Sequence, residues 1–146
     1  MSDQLWAVIA AANLGTLATI KRDGRPQLSD VSYTAAGATV EGVARVLRVS
    51  TRTSLAKVHN LRRDPRASMK VTAPGGAGYA VAEGVVSLSD VAADEHDAVV
   101  EELIEVYRLV GGEEHPDWAD YRRAMVADRR LVLSLHVERV YGWVMG

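Results

Sequence analysis

Residues 15–36 read GTLATIKRDGRPQLSDVSYTAA, and this stretch decides the fold. Its first part, GTLATIK, has the composition and spacing of a half-buried β-strand. Asp23-Gly24 then supplies a turn in which the backbone takes positive φ, as tight hairpins require. Pro26 suits the beginning of a second strand, where a missing N–H costs least. The stretch therefore predicts an antiparallel hairpin that leads into PQLSDVSYTAA.

Further strands follow the hairpin. The segment TVEGVARVLRVS is rich in valine and roughly alternating. The turn PGGAG reverses the chain between ASMKVTA and YAVAEGVVSLS, and leucine and valine alternate with other residues in the last segment, RLVLSLHVERVYGW. We therefore expect four more strands, at residues 39–50, 67–73, 79–89 and 130–143.

Helical spacing of apolar residues marks the rest of the chain. Four helices are expected: one at 2–13, one within 51–64 that ends before Pro65, one at 93–110 and one at 116–128. Six or so strands, mostly linked as hairpins, form a closed or partly open barrel most economically, because closure removes exposed strand edges. The chain is thus expected to be mainly β, with one domain over residues 1–146.

Composition excludes several classes of protein. The 146 residues are 48% hydrophobic and 25% charged, which is close to globular averages and argues against a disordered or fibrous chain. No apolar stretch approaches the roughly 20 residues that a membrane span needs, and the first residues lack the basic region of a secretion signal. The absence of cysteine excludes disulfides, thiol catalysis and cysteine zinc sites. We expect a cytoplasmic protein with no membrane partner.

Basic residues concentrate between positions 45 and 66. That segment has seven arginine or lysine residues against Asp64 alone, a net charge of +6. The remainder has ten basic and eighteen acidic residues, a net charge of −8. A local basic patch on an acidic chain favours a small anionic ligand over nucleic acid, for which a broadly basic domain is expected.

One part of this segment has the pattern of a phosphate site. The end of a strand leads through hydroxyl residues into a helix, so that free N–H groups of the first helical turn lie near several polar side chains. These side chains are Thr51, Arg52, Thr53, Ser54 and Lys57. The alternative is that Thr53 or Ser54 only caps the helix and that the arginines form a solvated surface. The spacing alone leaves both interpretations open.

Signatures of a protein nucleophile or a metal centre are missing. The four histidines have no metal-binding spacing, and no GxSxG, Walker or GxGxxG sequence occurs. Catalytic residues therefore stay unknown, and no metal is expected. Tyr107, Trp118 and Tyr121 are most simply packing residues, whereas Tyr79 and Trp143 either line a pocket or pack.

GTLATIKRDGRPQLSDVSY, KVHNLRRDPRASM and YAVAEGVVSL resemble the flavin- and deazaflavin-dependent oxidoreductases that have the pyridoxamine phosphate oxidase-like split β-barrel. DWADYRRAMVADRRLVLSL and the ending VERVYGW are similar to actinobacterial members that use coenzyme F420, an 8-hydroxy-5-deazaflavin. The resemblance covers nearly the whole chain. It implies a six-stranded antiparallel split β-barrel with peripheral helices, and a homodimer with two cofactor sites at the subunit interface.

The resemblance also implies which residues bind the cofactor. A lysine placed like Lys57 reaches the cofactor phosphate in that family. Gln27 and Asp30 lie where ring contacts tend to fall, and Tyr79 contributes across the interface. Hydroxyl and amide groups at positions matching Ser50, Thr51 and Ser54 surround the phosphate in that family. Arg52, from the phosphate-site pattern above, and Asn60 complete the candidate residues.

The sequence departs from this family at two positions. Close relatives carry a basic residue where this chain has Leu55, and an aromatic residue where it has Ala77. Leu55 removes one cation near the phosphate, and Arg52 or Arg48 is a candidate to replace it.

The implied activity is hydride transfer from reduced F420 to a small, electron-poor organic acceptor. Such chemistry needs positioning and exclusion of water more than a protein nucleophile. The +6 segment can act as an electrostatic track for the oligoglutamate tail of F420, which FMN lacks. The alternatives are an FMN-dependent oxidase or reductase on the same barrel and a non-catalytic flavin- or tetrapyrrole-binding protein. The acceptor stays open, as does whether the helices at 93–128 cover the pocket or brace the barrel.

Overall fold

The computed structural model describes residues 3–36 and 45–145. Its main elements follow in chain order as α1 (Asp3–Ala11), β1 (Leu14–Ile20), β2 (Pro26–Ser32), β3 (Val46–Arg52), α2 (Ala56–Arg63), β4 (Arg66–Thr72), β5 (Gly78–Leu88), α3 (Ala98–Gly111), α4 (Trp118–Ala127) and β6 (Arg130–Val144). A short 3-10 turn, Pro74–Gly76, connects β4 to β5.

The expected mainly-β architecture with six antiparallel strands is confirmed. Gly24 turns the first hairpin with a φ of +89°. The expected helix at 93–110 instead begins at Ala98, because the side chain of Asp97 caps it there. The second strand ends at Ser32 rather than at residue 36. The part of the expected third strand at 39–44 lies outside the described residues, as does Ser2.

The strands form one curved sheet in the order β2-β1-β4-β5-β6-β3. The two edge strands approach one another beyond the end of β2. There Thr34 and Arg48 exchange two backbone hydrogen bonds, of 3.1 and 3.0 Å. The sheet is therefore a half-barrel whose edges meet at this bridge, near the start of β3.

Alternate side chains of the strands fill the interior of the half-barrel. Leu17, Met69 and Leu133 are fully buried there, and Ile9 of α1 packs against them. The buried hydroxyl of Tyr33 donates a 2.6 Å hydrogen bond to the carbonyl of Ile9. This bond fixes the end of α1 against the barrel, since an unpaired hydroxyl there would be costly.

A second core lies between α3, α4 and the opposite face of β6. Leu103, Tyr121 and Met125 pack with Val132, which is 1% exposed. Apolar positions of α3 recur at helical spacing, so one side of the helix is buried. The two helices therefore brace the outer face of the barrel.

The outer face of the other strands carries exposed apolar side chains. On β1, β2, β5 and β6 these are Leu14, Leu28, Tyr79, Tyr141 and Trp143. Tyr79 lies opposite Trp143 in the pairing of β5 with β6, and Val81 lies opposite Tyr141. These exposed side chains share the face of the sheet that points away from its core, since side chains alternate between the two faces of a strand.

Candidate functional site

A cleft of about 660 Å³ opens between the edge strands and the two bracing helices. Its walls come from β2, β3, the start of α2, the start of β6, α3 and α4. The polar residues that line it are Asp30, Ser32, Ser50, Thr51, Arg52, Lys57, Glu113 and Arg130. The residues come from distant parts of the chain because the strand order places β3 next to β6.

Five of the residues expected from the sequence line this cleft: Asp30, Ser50, Thr51, Arg52 and Lys57. Asp30 accepts a 3.1 Å hydrogen bond from the hydroxyl of Thr16. Thr51 is 3% exposed, and its Oγ1 is buried without a hydrogen-bond partner in the part of the chain that the structure describes. A buried hydroxyl without a partner is uncommon in folded proteins and requires an explanation.

The other four expected residues lie outside the cleft lining. Asn60 is buried, and its Nδ2 donates hydrogen bonds of 3.1 Å to Thr19 Oγ1 and to Gln27 Oε1. The side chains of Asn60 and Gln27 are therefore hydrogen-bonded to each other, which links α2 to β2. Ser54 is exposed in the loop before α2, and Tyr79 lies on the uncovered outer face of β5.

Helix α2 begins without a capping side chain. Its N-cap residue is Leu55, which offers no side-chain hydrogen bond, and its first turn holds no acidic residue. Neither Thr53 nor Ser54 caps it, and Thr53 Oγ1 instead accepts a 3.4 Å bond from Arg62. The capping interpretation of these hydroxyls is therefore wrong. The N–H groups of the first turn keep their partial positive charge available to the cleft.

Two cations share the floor of the cleft. Burial, and next the positive charge of Arg130, hold the pKa of Lys57 below its ordinary value of 10.5. Arg130 is itself held by contacts of 3.4 and 3.5 Å from its Nη1 to the hydroxyl and the carbonyl of Ser50. Within residues 3–36 and 45–145, no carboxylate pairs with Lys57. Arg130 Nε lies 3.8 Å from Asp128 Oδ2, so the unpaired charge is that of Lys57, and an anionic ligand would supply its partner.

The basic segment does not form one continuous charged surface. Arg48 is 3% exposed and pairs with Glu102 and Glu105 of α3, so it does not replace the cation missing at Leu55. The other arginines outside the cleft lining also contact protein atoms: Arg45 contacts Asp3, Arg62 contacts Thr53, Arg63 contacts Ile20 and Arg66 contacts Asp64. Only Arg52 and Lys57 of the seven line the cleft, which weakens the expected track for an oligoglutamate tail.

An aromatic cluster supports the wall opposite β3. The rings of Tyr107, His115, Trp118 and Tyr121 lie with their centroids 5.2 to 5.6 Å apart. Tyr107 and Tyr121 line the cleft together with Val106, Val110 and Met125. The helices at 93–128 therefore both brace the barrel and wall the pocket. The interpretation of Tyr107 and Tyr121 as packing residues missed their second role.

Sequence reasoning also missed Arg130. Nothing local distinguishes it from Arg129, since the two are neighbours and both follow a helix. The alternating pattern after Arg130 indicates a strand but not its neighbour. Arg130 enters the cleft because β6 pairs with β3, which places Arg130 opposite Arg52. That pairing joins distant parts of the chain and has no local sequence signal.

Other chemical groups are sparse around the site. Ser87 Oγ lies 2.8 Å from His136 Nε2, but this exposed pair is outside the cleft lining. Among the described residues, no three His, Asp or Glu side chains gather as a metal site would require. None of the helices described is long and apolar enough to cross a membrane. The cleft therefore combines basic and hydroxyl side chains with an apolar wall.

Comparison with known proteins fits this geometry. The family model described as "Pyridoxamine 5'-phosphate oxidase" matches residues 1–144. A conserved hypothetical protein from Mycobacterium tuberculosis is similar in structure, with a TM-score of 0.72, 24% identity and coverage of 99% of this chain and 86% of that one. An F420 reductase gives a TM-score of 0.63 at 22% identity, with coverage of 97% and 98%.

A third similar structure is a pyridoxamine 5'-phosphate oxidase-related, FMN-binding protein from Nostoc punctiforme. It gives a TM-score of 0.62 at 16% identity, with coverage of 97% of this chain and 79% of that one. The three structures share the fold with this chain.

Proposed function

The chain belongs to the pyridoxamine 5'-phosphate oxidase family, and on that premise we propose that it is an oxidoreductase that holds a flavin-type cofactor by its phosphate. The proposed cofactor is coenzyme F420, and the proposed reaction is hydride transfer to a small, electron-poor organic acceptor. The F420 reductase with the same fold and the segments that resemble F420-dependent enzymes support this choice.

One observation carries the proposal. Lys57 and Arg130 lie close together on the floor of the cleft without a carboxylate that pairs with Lys57 among the described residues. Two cations that are partly withdrawn from water repel each other, and a phosphate between them would relieve the repulsion. Thr51 Oγ1 and the uncapped start of α2 add neutral donors at the same end. This donor set fits a phosphate ester.

Each side of the cleft has a distinct part in the proposed reaction. Lys57, Thr51, Ser50 and Arg52 bind the phosphate, while the wall of α3 and α4 excludes water from the ring of the ligand. When bound, reduced F420 supplies the hydride, so the protein needs no nucleophile. Positioning of the two reactants is then the main contribution of the chain.

Tyr121 does not supply the proton that completes the reduction. Its hydroxyl donates a 3.0 Å hydrogen bond to the carbonyl of Leu103, and burial raises its pKa to about 12. A group so reluctant to ionise is a poor acid at neutral pH. We propose that the proton comes from solvent at the mouth of the cleft.

FMN is the second candidate cofactor. Of the seven basic residues between positions 45 and 66, only Arg52 and Lys57 line the cleft, so an oligoglutamate tail finds no extended basic track there. A phosphate without a tail would satisfy Lys57 equally well. The FMN-binding structural neighbour supports this alternative.

A second copy of the chain is the proposed partner. The uncovered face carries five large exposed apolar side chains, and β2 belongs both to this face and to the wall of the cleft. A copy seated on that face would bury them and would bring its own Tyr79 toward the neighbouring cleft. We expect Trp143→Glu to weaken self-association strongly in sedimentation velocity, whereas Arg22→Glu at the exposed hairpin turn leaves it unchanged.

The experiment that tests the function is a fluorescence titration with oxidised F420 and, in parallel, FMN. Wild-type protein is compared with Lys57→Ala and with Lys21→Ala, which removes a lysine outside the cleft. We expect F420 to bind in the micromolar range or tighter, and Lys57→Ala to weaken it by about 10- to 100-fold, as loss of a charged hydrogen bond predicts. Lys21→Ala should bind like wild type.

The outcomes separate the candidates. Tighter binding of FMN, together with yellow protein after expression in a host without F420, would assign the chain to the FMN branch. Binding of neither cofactor would overturn the redox proposal and leave the fold. An equal effect of Lys57→Ala and Lys21→Ala would refute the assignment of the phosphate to Lys57.

A further inference from the structure

Arg130 lies at the first position of β6, at the end of the cleft that holds Lys57. Its register partner in β3 is Arg52. The contacts of its Nη1 with the Ser50 hydroxyl and carbonyl tie the guanidinium to the adjacent strand. The residue is therefore held in place before any ligand arrives, which lowers the entropy cost of binding.

The guanidinium still has capacity to bond. Its Nε is buried and has no hydrogen-bond partner in the described part of the chain. A guanidinium presents five donors in a planar fork that matches the oxygens of a phosphate. A buried N–H without an acceptor is costly, so this donor can form a hydrogen bond with an acceptor oxygen of a bound phosphate.

We propose that Arg130 is a further cation of the phosphate site, besides Lys57 and Arg52, and that it supplies from β6 the charge that the family resemblance places at the position of Leu55. The inference rests on the proposed function for the identity of its ligand, a phosphate ester. Leu55 lines the same cleft, so the two positions face one ligand. Arg48 has no such role, because Glu102 and Glu105 hold it against α3.

The effect of Arg130 on Lys57 supports this assignment. The positive charge of Arg130 contributes, after burial, to the lowered pKa of Lys57. Such an effect requires the two charges to be near each other. A phosphate bound between them would reverse the effect and raise the pKa of Lys57.

Asp128 provides the competing explanation. Its Oδ2 lies 3.8 Å from Arg130 Nε, which is within ion-pair distance but too long for a hydrogen bond. If Arg130 serves only to pair with Asp128, then removal of either partner should have the same consequence. If Arg130 binds phosphate, only its own removal should matter.

The test compares FMN with riboflavin, which differ by the phosphate alone. Wild-type protein is titrated with each flavin, next to Arg130→Met, Arg130→Lys, Asp128→Asn and Arg129→Met. We expect Arg130→Met to weaken FMN by about 10- to 100-fold and to change riboflavin by less than about twofold. Arg130→Lys should show a smaller loss, because it keeps the charge but not the fork.

Asp128→Asn and Arg129→Met are expected to bind FMN like wild type. An equal loss of FMN and riboflavin in Arg130→Met would assign the residue a role in shape and overturn the proposal. So would an equal loss in Asp128→Asn. Circular dichroism checks the fold of each variant. If Arg130→Met does not fold, the FMN and riboflavin affinities of Arg130→Lys test the proposal instead.

A rescue variant tests the replacement of the missing cation. Leu55→Arg combined with Arg130→Met returns a cation to the cleft from α2. We expect the double variant to bind FMN at least tenfold more tightly than Arg130→Met does, with no change in the affinity for riboflavin. No recovery would contradict the claim that Arg130 compensates for Leu55.

Inorganic phosphate separates this inference from the proposed function. The chain has three lysines, so methyl NMR of reductively methylated protein resolves each pKa. We expect phosphate to raise the pKa of Lys57 in wild type and much less in Arg130→Met, with Lys21 and Lys70 as references. If this occurs while no flavin or F420 binds, the anion site stands and the redox function fails. If flavins bind through phosphate but Arg130→Met has no effect, only the role of Arg130 fails.

Discussion

Arg48 and Lys57 belong to the same basic segment, yet their surroundings are opposite. Arg48 is buried against α3, where its Nη1 lies 3.2 Å from Glu102 Oε2 and 3.1 Å from Glu105 Oε2. Its Nη2 donates a 3.0 Å bond to the carbonyl of Ala36. Lys57 is half-buried in the cleft and has another cation, Arg130, as its electrostatic neighbour.

The difference separates charges that build the fold from charges that await a ligand. A cation with two carboxylates at ion-pair distance has its partners within the chain, so its loss damages the fold. A cation placed beside another cation destabilises the fold slightly, and such an arrangement is retained where binding requires it. The starts of the helices repeat this contrast, because Asp97 and Asp117 cap α3 and α4 while α2 has no cap.

The largest effect on stability is expected for Arg48→Met. This change removes the contacts of a buried guanidinium with Glu102, Glu105 and the Ala36 carbonyl, and it should lower the free energy of unfolding by about 2 kcal/mol, since the two carboxylates are partly exposed to solvent. Arg45→Met is the control, because Arg45 pairs with the exposed Asp3 and should cost less than about 1 kcal/mol. Urea denaturation measures both. Equal losses would show that burial of the ion pair does not distinguish the two arginines.

A smaller effect is expected for Asp97→Ala. The Asp97 carboxylate accepts from the N–H groups of Val100, Ala93 and Asp94, at 2.9, 2.9 and 3.1 Å. Loss of this cap should cost about 1 to 2 kcal/mol at neutral pH.

The same cap should be sensitive to acid. Backbone hydrogen bonds, that from Ala93 first, hold the pKa of Asp97 below its ordinary value of 3.8. Its contribution is therefore complete above that value and is lost as pH falls through the lowered pKa. The difference in unfolding free energy between wild type and Asp97→Ala should shrink over that range. A difference that is constant with pH would contradict the role of the carboxylate.

Helix α2 should respond in the opposite direction. Leu55→Asn supplies the missing cap and should raise the free energy of unfolding by about 0.5 to 1 kcal/mol. It should also weaken FMN several-fold, because the amide then occupies N–H groups that face the ligand. Leu55→Asp caps equally well and adds a negative charge, so it should weaken FMN further. An increase in stability without any loss of affinity would show that the start of α2 does not contact the phosphate.

Local spacing predicted the elements of this fold closely. Alternation and the Asp23-Gly24 turn located β1 and β2, because both depend on neighbours in the chain. Helical spacing located α3 and α4 for the same reason. The start of α3 was misplaced since the acidic residues before Asp97 provide several possible caps, and the folded chain uses only Asp97.

The site was only partly predictable, because it depends on pairing between distant strands. Lys57 and Thr51 belong to one local motif, and the sequence indicated them together. Arg130 and Tyr107 enter the cleft only because β6 pairs with β3 and α3 packs beside them. The fate of Arg48 likewise depends on acidic residues in α3, far along the chain. Composition shows how many charges a segment has, but only the tertiary structure shows which of them are paired.

The smallest effect, and the sharpest contrast with Arg48→Met, is expected for Lys57→Met. Removal of a cation that Arg130 repels should raise the free energy of unfolding at pH 7 by at most about 0.5 kcal/mol, since Lys57 is only half-buried and solvent screens its charge.

The pKa of Lys57 is lower in the folded chain than in the unfolded chain. Between those two values the unfolded chain binds more protons, so wild-type stability gains with rising pH. The difference in unfolding free energy between Lys57→Met and wild type should therefore decrease as pH approaches 10.5. Urea denaturation at several pH values measures the difference, with Lys21→Met, which removes a lysine outside the cleft, as the control variant. Because Tyr33 and Tyr121 are present in both proteins, their ionisation cancels in the difference. If Lys57→Met proves less stable than wild type at pH 7, Lys57 has a partner within the fold, and the contrast with Arg48 does not hold.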